Sequence, residues 1–365
     1  MRAAHVAIPE PKEPKEPEPG PSGAADAEPN GSVMARARSL VERADDVQRR
    51  HRWLAIPVAV VRKFGDDRAG NWTALISFYG FLSLFPLLLV FVTLLGFLMR
   101  GDPGLQRQVL GSALAQFPVI GTQIERNVHT LRGSGWVLVV GLATATWSGM
   151  RVVMAVQGAM DEIWNVPRRD RPGFLPSRLK ALFTLVVVGV ALLAAGFLAG
   201  FGTSGGGASL PLRILALVGT IAVNALVFAA VFRILTQADV GWRDVLPGAA
   251  IGAVAWMALL VAGTWIVDRY VRGATDVYGA FAMVIGLLAW IGLAAQVALL
   301  CAELNVVLTR RLWPRSIIDR RDTTQPDRRV LAAEATEETA RRDEVVDVRF
   351  DGHAATPSDR SNERA

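Results

Sequence analysis

The stretch TALISFYGFLSLFPLLLVFVTLLGFLM, residues 73–99, runs for 27 positions without a charged side chain. A hydrocarbon core about 30 Å thick takes roughly 20 helical residues to cross. Lipid offers the backbone no hydrogen-bond partner, so an apolar run of this length folds as a helix that satisfies its own peptide groups. One such run makes an anchor, and the chain repeats it. Working outward, the spans predicted are about 73–99, 134–160, 181–201, 214–233, 245–267 and 277–308. The fold class that follows is all-α, a six-transmembrane helical bundle occupying residues 35–317.

Lysine and arginine orient it. Within residues 36–321, twenty-one fall before span one, between spans two and three, between spans four and five, and after span six, whereas seven fall in the alternate connections. The heavier side is cytoplasmic by the positive-inside rule, which places both termini in the cytoplasm. Trp72, Trp136, Trp164, Trp242, Trp265 and Trp313 fall near span ends, where an amphipathic ring prefers the headgroup region. Composition agrees: 52% of the chain is hydrophobic, 20% is charged, and mean hydropathy is +0.33. The net charge of +6 belongs with a membrane surface rather than with nucleic acid, because the basic residues flank the apolar runs. The expected partners are therefore the lipid bilayer and a small-molecule or lipid substrate, with a homo-oligomer compatible and no nucleic acid.

Outside the spans, residues 35–65 mix apolar positions with many arginines and predict an amphipathic helix on the membrane surface. Residues 104–132 predict two short helices capping the first outer loop. Residues 1–34 and 318–365 are charged, poor in apolar residues and aperiodic, and predict disordered tails. No cleavable signal peptide is legible at the N-terminus, so the first span is expected to act as the insertion signal.

Arg151 is the most informative residue, because it lies inside the second span. An arginine at that depth costs several kcal/mol unless paired, wetted or able to snorkel. It reads either as a substrate contact in a polar cavity or as a snorkelling or ion-paired structural residue. Ser148 shares its face three positions earlier, and Glu303 in the last span is the expected partner. Gln296 and Asn305 flank Glu303, and Ser77 and Tyr79 lie a turn or two before Pro86 in the first span. These seven residues make up the candidate intramembrane polar site. Pro86 predicts a kink, either architectural or part of a site. Gly196 with Gly200, and Gly248 with Gly252, are small-residue pairs for close helix packing, within the bundle or between copies.

Signatures of catalysis are missing. His5, His51, His129 and His353 are scattered, Cys301 stands alone, and Gly202 to Gly207 has no following lysine. No metal site, cofactor or enzymatic activity is expected. Asp161, Glu162 and Asp170 stand among arginines and read as an ion-paired rim.

Several blocks, in order, resemble the YihY / virulence factor BrkB family of bacterial inner-membrane proteins. They are Asn71 to Tyr79 running into Leu82 to Pro86; Thr146 to Gly149 through Asp161 to Trp164; Trp242 to Gly248; and Tyr278 to Ala282 through Trp290, Gln296 and Ala302 to Asn305. Cys301 replaces a small residue common in that family. The resemblance covers roughly residues 40–315 and implies six helices in a bacterial inner membrane. Some members are linked to serum resistance, and others have carried the label ribonuclease BN. Three functions stand open: a transporter or exporter of a small molecule or lipid, an envelope scaffold acting through partners, and a membrane-bound nuclease.

Overall fold

The computed structural model describes residues 43, 45–98, 135–203, 210–266, 272–316, 324–339, 341 and 343–350. The N-terminal tail and the predicted outer-loop helices at 104–132 lie outside these residues. The elements are α1 (Arg52–Asp66), α2 (Ala69–Leu98), α3 (Gly135–Ile163), α4 (Phe174–Thr203), α5 (Leu210–Leu235), α6 (Trp242–Ile266), α7 (Arg272–Arg310) and α8 (Gln325–Glu337). The connection between α3 and α4 contains a single 3₁₀ turn, Arg168–Asp170. No strand occurs among the described residues.

Each predicted span overlaps one long helix, which overruns it by a turn or more at several ends, and positions 99, 134 and 267 lie outside the described residues. By length and composition, α3 to α7 can each cross a membrane. Helix α2 adds 30 residues with no charge and contains Pro86. Consecutive helices from α2 to α7 pack against one another, and α7 packs back on α2, so the six close into a ring. Helix α7 is the longest at 39 residues, about 58 Å at 1.5 Å per residue. Its extra length projects past one end of the ring, where it also packs against α1.

That end holds the protein's densest core. Ala59 and Val60 of α1 meet Ile163 and Trp164 at the end of α3, Phe232 and Leu235 of α5, Val245 and Ala249 of α6, and Leu299, Val306 and Val307 of α7. Along the ring the pattern inverts. Phe85, Val139, Phe183, Val190, Leu215, Val254 and Phe281 are exposed, a surface suited to lipid rather than water. Close helix approach is set by glycine. A Cβ on Gly248 would sit 2.1 Å from the Cys301 carbonyl oxygen of α7. One on Gly252 would sit 3.3 Å from Phe228 of α5, so this pair packs within the bundle. Gly196 and Gly200 fall in α4 where side chains lie outside the described residues.

Helices α3 and α7 both stop on non-glycine residues in the left-handed region, Asn165 (φ 49°) and Arg311 (φ 52°). The Val166 and Leu312 amides close back on the Asp161 and Val307 carbonyls at 2.8 and 3.0 Å, which is the six-to-one bond of a Schellman end.

The tail prediction from residue 318 needs correction. Helix α8 runs Gln325–Glu337, started by Thr324, whose side chain accepts from the Asp327 amide, and by a proline in the first turn. Charge density pointed to disorder, but Val330 is buried in the core at the ring's end, and ion pairs anchor both helix ends.

Candidate functional site

The predicted site residues separate into two groups. Glu303, fully buried on α7, lies 3.6 Å from the ammonium of Lys63 on α1. Lys63 is also fully buried, binds the Asp67 carboxylate and donates to the Ile163 carbonyl at 2.9 Å. One ammonium thus joins α1, the α1–α2 link, the end of α3 and α7. Burial pushes the Asp67 carboxyl above the ordinary carboxylate range, and the charge of Lys63 pulls the other way. Asn305 accepts from the Gly248 amide at 2.7 Å, fastening α7 to the first turns of α6. The expected pairing of Glu303 with Arg151 does not form, because Lys63 supplies the cation from a helix outside the spans.

Arg151 instead lies exposed on α3. Its guanidinium carbon is 5.8 Å from the Tyr79 ring centroid and 5.6 Å from that of Trp147. Arg178, one turn into α4, approaches the same Trp147 ring at 5.3 Å and the Phe174 ring at 3.9 Å. Among the described residues neither arginine meets a carboxylate, and the enclosed Arg178 Nε has no hydrogen-bond partner. The arrangement is two cations on one exposed indole, able to take an anion.

The hydroxyls of the candidate site are already engaged. Ser77 donates to the Thr73 carbonyl at 2.6 Å and Ser148 to that of Thr144 at 2.9 Å, each one turn back in its own helix. Gln296 is exposed on α7. Asp161, Glu162 and Asp170 make rim contacts: Asp161 accepts from the Gln237 amide at 3.2 Å, and Glu162 and Asp170 lie 3.6 and 3.7 Å from Arg171 and Arg169.

Residues 60–325, most of this architecture including both clusters, match the family model for virulence factor BrkB. The chain belongs to that family. Among its relatives, the inner membrane protein YhjD of Escherichia coli (strain K12) is 23% identical, over 74% of this chain and 86% of its own. The ribonuclease-like protein YfkH of Bacillus subtilis (strain 168) is 25% identical over 66% of this chain and 90% of its own. The UPF0761 membrane protein RSc1559 of Ralstonia nicotianae is 26% identical over 68% of this chain and 57% of its own. No solved structure matches. This BrkB-family chain is thus a multi-pass helical membrane protein. Among its described residues no group of three or more histidine, cysteine or acidic side chains could hold a metal ion.

The BrkB-family match reaches residue 325, and the strap beyond it closes the ring's end. Arg315 binds Asp66 at 2.6 Å and Asp327 at 2.9 Å. Arg171 binds Glu337 at 2.5 Å, and Asn165 donates to the same carboxylate at 3.1 Å. Burial pushes the Glu337 carboxyl up to about 7, with Glu162 adding to it while Asn165 and Arg171 oppose it. Under α8 lies a cavity of about 370 Å³ lined by Asn165, Arg310, Leu312, Arg329, Val330 and Ala333.

Sequence reasoning passed over Lys63 and Arg178, counting both only as topology charges. Lys63 left a signal: with Ala55 and Ala59 it forms an i, i+4 row on the buried face of α1. Arg178 left none, because its stacking on Trp147 is made across two helices.

Proposed function

We propose that the chain is a transporter or exporter of a small molecule or lipid in a bacterial inner membrane. In this reading α2 is the sixth span, and the basic end with both termini faces the cytoplasm. The observation that carries it is Arg151, inside a spanning helix, exposed, stacked on Tyr79 and Trp147 and without a carboxylate among the described residues. A cation kept in an apolar span without a protein counter-ion is suited to contact a passing anionic group. Glu303, by contrast, is engaged by Lys63 in holding the fold.

Proteoliposomes test this directly. Purified protein is reconstituted and scored for movement of a panel of labelled small anions and fluorescent lipids. Wild type is expected to move at least one panel member, and Arg151→Ala to lose that flux while keeping its melting temperature. Equal flux in the two proteins would sink the reading. A scaffold role is the second reading, favoured by the ion-paired α8 strap that presents a fixed helix at the basic end. It predicts no flux and sensitivity to α8 deletion instead. The ribonuclease-like name attaches to the Bacillus relative, and the described clusters add nothing to it.

A further inference from the structure

Which ligand suits the arginine pair is decided by its surroundings. Both guanidinium carbons lie within 5.6 Å of one indole centroid. Each is attracted to the ring, and the two repel each other. No carboxylate among the described residues relieves that repulsion, and the Arg178 Nε is shut away with no acceptor. An enclosed donor left without an acceptor is destabilising. A doubly contacted oxyanion relieves the repulsion, and phosphate oxygens match the guanidinium fork.

The anion is further specified by what adjoins it. From Arg178 onward, Leu179, Phe183 and Val186 follow at positions one, five and eight, and all three are exposed at 57–61%. They form one apolar row along α4, set about 100° round the helix from Arg178. A small inorganic anion has no use for that row, whereas a lipid places its phosphate on the arginines and its chain along the row. The connection just before α4 adds Arg168 and Arg169, a basic margin that favours an anionic headgroup at the membrane surface.

We infer that Arg151 and Arg178, stacked on Trp147, bind the phosphate of an anionic phospholipid in the leaflet at the basic end, with an acyl chain along Leu179, Phe183 and Val186. The pair thereby sets a substrate class for the transport site. This rests on reading Arg151 as a ligand contact, and it is tested by binding alone.

The experiment titrates detergent-solubilised full-length protein with phosphatidylglycerol, phosphatidylcholine or glycerol 1-phosphate, followed by native mass spectrometry and melting temperature. Phosphatidylglycerol is expected to bind at least tenfold more tightly than phosphatidylcholine and to raise the melting temperature. Arg151→Gln/Arg178→Gln is expected to bind the two lipids alike. The lysine pair Arg151→Lys/Arg178→Lys is expected to keep part of the preference, since it keeps charge and loses the fork. Equal binding of the two lipids by wild type overturns the inference and needs no variant that folds. Glycerol 1-phosphate binding as tightly as the lipid assigns the site to a soluble anion and overturns the lipid assignment. Lipid preference without flux in proteoliposomes would end the transport reading and leave the lipid site standing. Flux that needs Arg151 without lipid preference would do the reverse.

Discussion

Two charged clusters lie in otherwise apolar surroundings, and they are built in opposite ways. At the ring's end, Lys63 is fully buried and surrounded by Asp67, Glu303 and the Ile163 carbonyl. On the ring, Arg151 and Arg178 share the Trp147 ring and meet no carboxylate among the described residues. The first cluster is closed from solvent: one ammonium serves two buried carboxylates and a carbonyl, although neither Glu303 oxygen accepts a hydrogen bond. The second is open: among the described residues no carboxylate compensates it. A charge whose partner is internal reports on stability, and one whose partner is absent reports on binding.

The sharpest break of that contrast is Lys63→Met. Removing the ammonium leaves two buried carboxylates without their cation, and breaking a buried pair costs about 3–5 kcal/mol. A large fall in melting temperature is expected in detergent, partly restored by adding Glu303→Gln. A melting temperature within a degree of wild type would show that the cluster does not hold the fold.

Next in size is Gly248→Ala. The added methyl meets the Cys301 carbonyl oxygen at 2.1 Å and the Asn305 Oδ1 at 2.6 Å, so α6 and α7 must separate. Overpacking of this kind costs about 1–3 kcal/mol, and denaturant unfolding would measure it.

The third prediction concerns pH at the strap. Glu337 titrates at about 7 in the fold against 4.5 for the ordinary side chain. Between those values the folded state holds more protons than the unfolded one, so its contribution to stability falls as pH rises from about 4.5 to 7. The slope is bounded at about 1.4 kcal/mol per pH unit for one proton. Melting temperatures of wild type and Glu337→Gln, compared from pH 5 to 8, should show a smaller alkaline decline in the variant. Parallel curves would remove Glu337 as the cause.

The smallest stability effect belongs to Arg151→Ala. An exposed side chain with only ring contacts should change stability by no more than about 0.5 kcal/mol. A loss like that of Lys63→Met would place Arg151 in the structural class and erase the contrast.

Much of this was legible in the sequence. The six apolar runs located the long helices because a bilayer admits few alternatives. Gly248 and Gly252 announced close packing, and the structure places that packing inside the bundle. Other features depended on contacts remote in sequence. Glu303 was recognised as needing a cation, but its cation comes from Lys63, 240 positions earlier and outside the spans. Arg178 meets Trp147 only because α3 and α4 pack side by side. The ends of α3 and α7 carry no glycine, so Asn165 and Arg311 gave little warning of a left-handed stop. Helix α8 did leave a signal in Thr324-Gln-Pro-Asp327, a capping pattern with an early proline, which the charge around it obscured.

The most direct test of the central claim is lipid movement in proteoliposomes containing fluorescent phosphatidylglycerol, with wild type and Arg151→Gln/Arg178→Gln side by side. The account predicts flux in wild type, little in the variant, and matching melting temperatures. Equal flux in both proteins, or a variant that fails only because it unfolds, would contradict it.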